Sequence, residues 1–458
     1  MSSNASASSP STSSTSTSSP LPASSSFTQA AADAAKAAGA ALRDARPELR
    51  SAALADLAAA LERPEVRTEV FAANGRDLER ARAEQARGNL ASAIVKRLGL
   101  DVRKLESLSD GLRQLAAMPD LVGQVTLRRA LDDGLILERV TTPLGLLGVV
   151  FEARPDALIQ IGGLALRSGN AVLLKGGREA QESNRVLTAV IHGVLERHGL
   201  DTRAVVLLED RADVAAVLAL HGTVDLIVAR GSSEFVLHVQ RSTRIPVMAH
   251  AAGICHVYLH RAAEPAMAAR VTVDSKTTYP AACNAVETLL WDEGAEDALD
   301  ATVAALWAAG VELRGCLATR ARHPQMTPAT AEDWDTEYGL PILAIRRVAD
   351  LEAALAHIAR HGSRHTEAIV TADPVAAARF LADVDAAGVY HNASTRFADG
   401  YRYGLGAEVG ISTDKLHARG PVGVDGLLTY RWLLHGHGQA TADYGPGGKA
   451  FTHRDLPT

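Results

Sequence analysis

Leu146-Leu147-Gly148-Val149-Val150-Phe151, then Pro155 to Arg167, then Ala171-Val172-Leu173-Leu174-Lys175-Gly176-Gly177 is the stretch that decides the fold. Its first run is a short apolar segment, as expected of a strand covered on both faces. Pro155 suits the first turn of a helix, where its missing N–H has no partner to lose. The second apolar run ends on Lys175, and two glycines turn the chain into a further helix, Glu179 to Arg197. Strand, helix and strand in this order form a crossover between parallel neighbours.

The alternation continues outward. Ala204 to Leu208, Val224 to Val228 and Ile245 to Met248 are further short strands, with helical stretches between them. A second series runs through Glu287 to Trp291, Val311 to Leu313, Pro341 to Ile345, Ala368 to Thr371 and Gly388 to His391. Helices Leu351 to His361 and Pro374 to Asp385 separate its later members. The predicted class is therefore α/β, a doubly wound parallel sheet followed by a second α/β unit. Such sheets take ligands beyond the carboxyl ends of their strands. Upstream, Phe27 to about Leu121 carries Ala, Leu, Arg and Glu at helical spacing. Thr126 to Thr142 reads as a hairpin around Asp132-Asp133-Gly134. With the extended segment Leu427 to His435 it would build a protruding sheet suited to assembly.

Composition narrows the function classes. A net charge of -6 argues against a general nucleic-acid surface. No run of apolar residues is long enough for a transmembrane helix. Cys255, Cys283 and Cys316 lie far apart, with no disulfide-framework spacing, as in a reducing compartment. Cys255, His256 and Cys316 match no zinc spacing, so no metal is expected. Residues 1–26 are almost all Ser, Thr, Ala and Pro without charge; they are expected to be disordered, and they match neither a secretory nor a transit signal. The expected location is the cytoplasm.

Candidate chemistry clusters in a few loops. Cys283 follows Pro280-Ala281-Ala282 at the seam between the two strand series, so its sulfur is a nucleophile candidate; the alternative is a small buried apolar residue. Lys175 and Arg178 flank a glycine turn where a nucleotide ribose or phosphate would fit, or where two cations are simply solvated. Gly231-Ser232-Ser233 starts a helix, either as a cap or as an anion site. Gly404-Leu405-Gly406 has the wrong spacing for a dinucleotide fingerprint. The polar loop Asn392 to Gly400, just past a strand, is a substrate-binding candidate.

Several blocks together resemble the gamma-glutamyl phosphate reductase family. They are Phe151-Glu152-Ala153-Arg154-Pro155, Cys283-Asn284-Ala285-Val286-Glu287-Thr288, Asn392 to Gly400 and Gly410 to Pro421, with His365-Thr366-Glu367 inside Val348 to Ile369. The resemblance spans about residues 30 to 440. It implies the aldehyde dehydrogenase superfamily fold, whose variant Rossmann domain does without the glycine fingerprint. The implied division is a tail (1–26), an NADP-binding domain (27–125 and 143–260), an oligomerisation hairpin and sheet (126–142 and 427–440) and a catalytic domain (261–426).

The implied reaction is NADPH-dependent reduction of L-glutamyl 5-phosphate to L-glutamate 5-semialdehyde through a thioester on Cys283, the second step of proline biosynthesis from glutamate. The resemblance puts Lys175 at the adenosine ribose, Gly231 and Ser232 at the pyrophosphate, and Glu337 at the nicotinamide ribose; Arg178, whose charge would suit a 2'-phosphate, is a variant within the family pattern. Arg154, Asn284, Ser394, Thr395 and Arg396 become substrate-binding candidates. His250 falls where hydrolytic relatives carry a glutamate base, and Ala153 nearest their oxyanion asparagine. A homo-oligomer and functional coupling to glutamate 5-kinase are also implied. The rival is a hydrolytic aldehyde dehydrogenase acting on another small aldehyde.

Overall fold

The computed structural model describes residues 23–250 and 252–458. Leu146–Phe151 is the middle strand of a five-stranded parallel sheet, ordered Val205–Leu208, Ala171–Gly176, Leu146–Phe151, Leu226–Arg230, Val247–Met248. Every residue of Leu146–Phe151 and of Ala171–Gly176 is buried, as their composition requires. Side chains alternate between two cores. Leu147, Val149 and Phe151 pack under helices Pro47–Glu62, Val102–Ala117, Pro155–Ser168 and Gln181–Arg197. Leu146, Leu173 and Ile227 pack under Ala23–Asp44, Ala212–Ala219 and Ser233–Ser242.

A seven-stranded parallel sheet follows, ordered Thr327–Pro328, Glu312–Gly315, Ile342–Val348, Val286–Asp292, Cys255–Leu259, Thr366–Val370, Gly388–His391. Its two faces also carry separate cores, one around Leu289 and Leu343, the other around Tyr258 and Phe380. A four-stranded antiparallel sheet stands apart, ordered Leu428–His435, Leu135–Pro143, Val125–Asp132, Arg454–Leu456. Gly134 turns its hairpin with φ +70°, a conformation that favours glycine. Edge strand Leu428–His435 exposes Tyr430, Trp432 and Leu434.

The structure departs from the sequence reading at several points. Residues 1–22 of the expected disordered tail lie outside the described residues, while from Ala23 the chain is already helical. That helix start is tied down by a buried bond in which Thr28 Oγ1 donates to Asp213 Oδ1 at 2.9 Å. Cys255–Leu259 belongs to the seven-stranded sheet, so the change of sheet falls before Cys255 and not after residue 260. Ala407, Val409, Val422, Val424 and Leu427 pack into the core of the five-stranded sheet, although the catalytic unit was drawn to residue 426. Arg454–Leu456 adds a strand to the hairpin that its polar sequence does not announce.

The order of the chain brings two sheet edges together. His250 follows Val247–Met248 at the carboxyl edge of the five-stranded sheet, and Gly253 then precedes Cys255–Leu259 at the amino edge of the seven-stranded one. Arg154 and Gly231 come after neighbouring strands of the first edge, whereas Cys283 and His365 come before the two strands that flank Cys255–Leu259 in the second.

Candidate active site

Helix Pro265–Thr277 ends shortly before Pro280, and the small residues Ala281 and Ala282 lead to Cys283, which is partly exposed. His365 Nε2 lies 3.2 Å from Cys283 Sγ. The other nitrogen of His365 is 2.8 Å from Thr366 Oγ1. If Nδ1 keeps its proton for that hydroxyl, Nε2 is left as acceptor for the thiol S–H. His250 packs edge-on against His365, with ring centroids 5.6 Å apart, and its Nδ1 is 3.2 Å from Ile411 O. Burial pushes the His250 pKa down, which keeps the ring neutral.

Beneath the nucleophile candidate the chain is tightly stacked. A Cβ placed on Gly253 would fall 2.1 Å from Cys283 O and 2.5 Å from Cys283 Cα, so only glycine fits there. Glu337 Oε2 accepts from Gly253 N at 3.0 Å, which fixes this strip of backbone. Cys255 Sγ donates to Cys283 O at 3.3 Å, and burial raises its pKa well above that of a free thiol. Cys255 is therefore a packing thiol. Deeper still, Lys276 Nζ and Glu287 Oε2 form a fully buried ion pair at 2.6 Å.

The substrate candidates separate into two kinds. Thr395 Oγ1 donates to Asn284 O at 2.7 Å, and Asn284 Nδ2 donates to Ala398 O at 2.7 Å. Ser394 Oγ lies 3.1 Å from Ser275 Oγ and accepts from Arg396 N. Thr395 and Asn284 clasp the Cys283 loop to the 394–398 turn, and Ser394 ties that turn to helix Pro265–Thr277. Arg396 differs: it is buried, and among the described residues its Nε has no hydrogen-bond partner. Arg230 resembles it, with Nη1 buried and unpartnered and a distant contact to Glu408 at 3.8 Å. Burial lowers both guanidinium pKa values. A neighbouring arginine adds to this in each case (Arg154 for Arg230, Arg402 for Arg396), and the charge of Cys283 opposes it in both.

The cofactor candidates surround two features. Lys175 does not project outward as expected: it is buried, and its Nζ donates to Gly176 O at 2.7 Å. Burial lowers its pKa, with Asp213 opposing. Gly176, Gly177, Arg178, Asn184 and Leu208 line a hollow in which Asn184 Oδ1 is buried without a partner. At the start of Ser233–Ser242, Ser232 Oγ accepts from Phe235 N, so the capping role holds. Ser232 N donates to Glu152 Oε2 at 2.9 Å, which puts a carboxylate of the chain itself where an external anion was expected.

His365 and Arg230 went unnamed as site residues in the sequence reading. His365 stood only inside a block of family resemblance, and Arg230 only as the residue before a glycine turn. The available signal was position, since each sits at a strand end on the edge that faces the other sheet.

Curated proteins are similar to this chain over nearly their whole length. A gamma-glutamyl phosphate reductase from Synechococcus sp. (strain JA-3-3Ab) is 54% identical over 410 residues, 89% of this chain and 90% of that protein. One from Parasynechococcus marenigrum (strain WH8102) is also 54% identical over 410 residues, 89% of this chain and 92% of that protein. The crystal structure of gamma-glutamyl phosphate reductase from Thermotoga maritima superposes with a TM-score of 0.85 at 35% identity, covering 90% of this chain and 99% of that one. The chain belongs to the gamma-glutamyl phosphate reductase family. An acetylating aldehyde dehydrogenase from Geobacillus thermoglucosidasius shares the fold, with a TM-score of 0.65 at 17% identity over 91% of this chain and 98% of that one. No protein-family model matches the chain. Among the described residues, no helix of this reductase-family chain is long and apolar enough to cross a membrane.

Proposed function

We propose that this reductase-family chain converts L-glutamyl 5-phosphate to L-glutamate 5-semialdehyde and phosphate, using NADPH, as the second step of proline biosynthesis from glutamate. The observation that carries the reading is the Cys283–His365 pair at 3.2 Å, with Arg230 and Arg396 close by, each keeping a buried, unpartnered N–H group. His365 takes the thiol proton, and the Cys283 thiolate attacks the acyl carbon. The C–O bond to phosphate breaks, a thioester forms, and His365 returns its proton to the departing phosphate. Arg230, Arg396 and Arg154 neutralise the substrate's two anionic ends, the glutamyl carboxylate and the phosphate. Backbone N–H groups near Cys283 stabilise the tetrahedral oxyanion.

The cofactor, when bound, supplies the hydride that takes the thioester to the aldehyde level. The orphaned Asn184 Oδ1 and the glycine-lined hollow around Arg178 suit a sugar hydroxyl or phosphate of such a dinucleotide. Lys175 would approach the same ribose after releasing Gly176 O, Gly231 and Ser232 the pyrophosphate once Glu152 gives up Ser232 N, and Glu337 the nicotinamide ribose. By the resemblance His250, beside His365, stands in the position of the hydrolytic base; burial weakens it as a proton acceptor, and it carries no carboxylate charge, which favours keeping the thioester for hydride.

On this reading the five-stranded sheet is the cofactor domain, the seven-stranded sheet the catalytic domain, and the protruding sheet the contact to a second copy. The exposed Tyr430, Trp432 and Leu434 of its edge strand support that last assignment. The enzyme would work in the cytoplasm, where coupling to glutamate 5-kinase would shield a labile acyl phosphate.

The test runs the reaction in reverse. NADP reduction with glutamate semialdehyde should require phosphate or arsenate and should vanish in Cys283→Ala, which should still bind NADPH. Phosphate-independent turnover would assign the chain to hydrolytic chemistry, and appreciable turnover in Cys283→Ala would remove the covalent step.

A further inference from the structure

The three side chains at the centre of the cleft also have the composition of a metal site. One ligand atom each from Cys283, His250 and His365 all lie within 4.8 Å of one another. None of the three is near either of the others in sequence, so the cluster is made by the meeting of the two sheet edges. It is unrelated to Cys255, His256 and Cys316. Those cannot share an ion with it, because Cys255 Sγ is bound to Cys283 O and Cys316 Sγ to Thr319 Oγ1, 3.3 Å in each case.

We propose that Cys283, His250 and His365 form a site for a zinc ion whose occupancy switches the enzyme off. Three features point to zinc. The donor set is one thiolate and two imidazoles, a borderline-soft combination preferred by a tetrahedral divalent ion. Each histidine is already oriented through one ring nitrogen, His365 Nδ1 by Thr366 Oγ1 and His250 Nδ1 by Ile411 O. This is how protein scaffolds commonly hold a histidine ligand, leaving Nε2 for the metal. Cys283 and His250 are only partly buried, so water or an anion can complete the shell at the fourth position.

The spacing is close to what the ion needs. With Zn–S about 2.3 Å and Zn–N about 2.0–2.1 Å, tetrahedral ligand atoms stand roughly 3.3–3.6 Å apart. The sulfur and His365 Nε2 are already at 3.2 Å. The widest separation in the cluster must shrink by about an ångström, a change that small side-chain rotations deliver. The surrounding charges oppose one another. Arg230 acts against a cation at both Cys283 and His250 and Arg396 at Cys283, whereas Glu337 and Glu408 attract it from the side of His250.

The consequence for activity rests on the reading that Cys283 is the nucleophile; the binding itself does not. A sulfur lone pair committed to zinc is no longer free for the acyl carbon, so zinc should compete with the acyl phosphate and be reversed by a chelator.

The experiment uses the full chain, freed of metal with chelator and titrated with zinc alone against a chromophoric chelator, with cobalt as a spectroscopic probe. One equivalent should bind, and cobalt should give a sulfur-to-metal charge-transfer band. Cys283→Ser should abolish that band. His250→Ala and His365→Ala should each weaken zinc by more than the ~10–100-fold typical of losing an outer-shell partner. Cofactor binding and the melting temperature of each variant report that it is folded. Zinc affinity unchanged in Cys283→Ser, or no stoichiometric binding by a folded wild type, would overturn the site. Zinc bound through Cys283 with undiminished reductase turnover would uphold the site and overturn the nucleophile assignment, so the two failures are distinguishable.

Discussion

His365 Nε2 stands 3.2 Å from Cys283 Sγ while its Nδ1 is held 2.8 Å from Thr366 Oγ1. A base oriented in this way next to a thiol is the element that turns a small buried-type cysteine into a nucleophile. His365→Asn should therefore lower kcat/KM by about 10²–10⁴-fold, the usual worth of a positioned general base. NADPH affinity should stay within about two-fold, because the imidazole is assigned no part in holding the cofactor. The decisive readout is the rate of Cys283 alkylation by iodoacetamide at neutral pH, which should fall in the variant. A rate that does not change would reduce His365 to packing.

Arg230 and Arg396 each keep a buried N–H without a partner, an arrangement that costs stability unless an anion arrives. Replacing either by Met should raise the KM of a reverse-reaction substrate, phosphate or semialdehyde, by about 10–100-fold, since a hydrogen bond to a charged group contributes roughly 1.5–3 kcal/mol. Which KM moves will divide the two anions between the two arginines. An effect confined to NADP affinity would move that arginine to the cofactor site.

Most of this architecture could be read from periodicity, because strands buried on both faces leave short apolar runs such as Leu146–Phe151 that little else produces. The paired carboxyl and amino edges were less legible. Cys255–Leu259 carries His256 and Tyr258 inside a strand, and His256 is tolerated there only because Glu367 lies 2.9 Å from its Nδ1. A polar pair of that kind is a long-range fact, 111 residues apart, and the local pattern is silent about it. His365 escaped notice for the same reason, since its partner is 82 residues away. Ser394 and Thr395 show the converse: local polarity was plain but its partners were not. Loop polarity suggested ligand contacts, yet their hydroxyls are engaged with Ser275 and Asn284.

Gly253 gives a prediction that depends on space alone. Any Cβ there would press on the Cys283 backbone at 2.1–2.6 Å, and Cys283 can yield only by moving its own Cα. Gly253→Ala should thus displace the nucleophile and cost at least ~100-fold in kcat, in line with the sensitivity of catalysis to misplacements of about an ångström. Semialdehyde-dependent activity within ten-fold of wild type would show that the backbone relaxes without disturbing the sulfur.

Near helix Leu351–His361, His357 is buried between the rings of His256 and Trp334, and among the described residues its Nε2 has no partner. Burial, reinforced by the charge of His256 and Arg346, pushes its pKa down to about 2. The unfolded chain takes up the proton near the ordinary value of about 6.5. Between these two values the unfolded state binds more protons than the folded one, so this contribution to stability is present above pH ~6.5 and is lost as the pH falls towards ~2. The loss should approach about 1.4 kcal/mol per pH unit. Denaturant unfolding at a series of acidic pH values should give a slope that His357→Leu reduces by that amount, whatever the variant's stability at neutral pH. Parallel slopes in the two proteins would mean that His357 is hydrated and titrates normally in the fold.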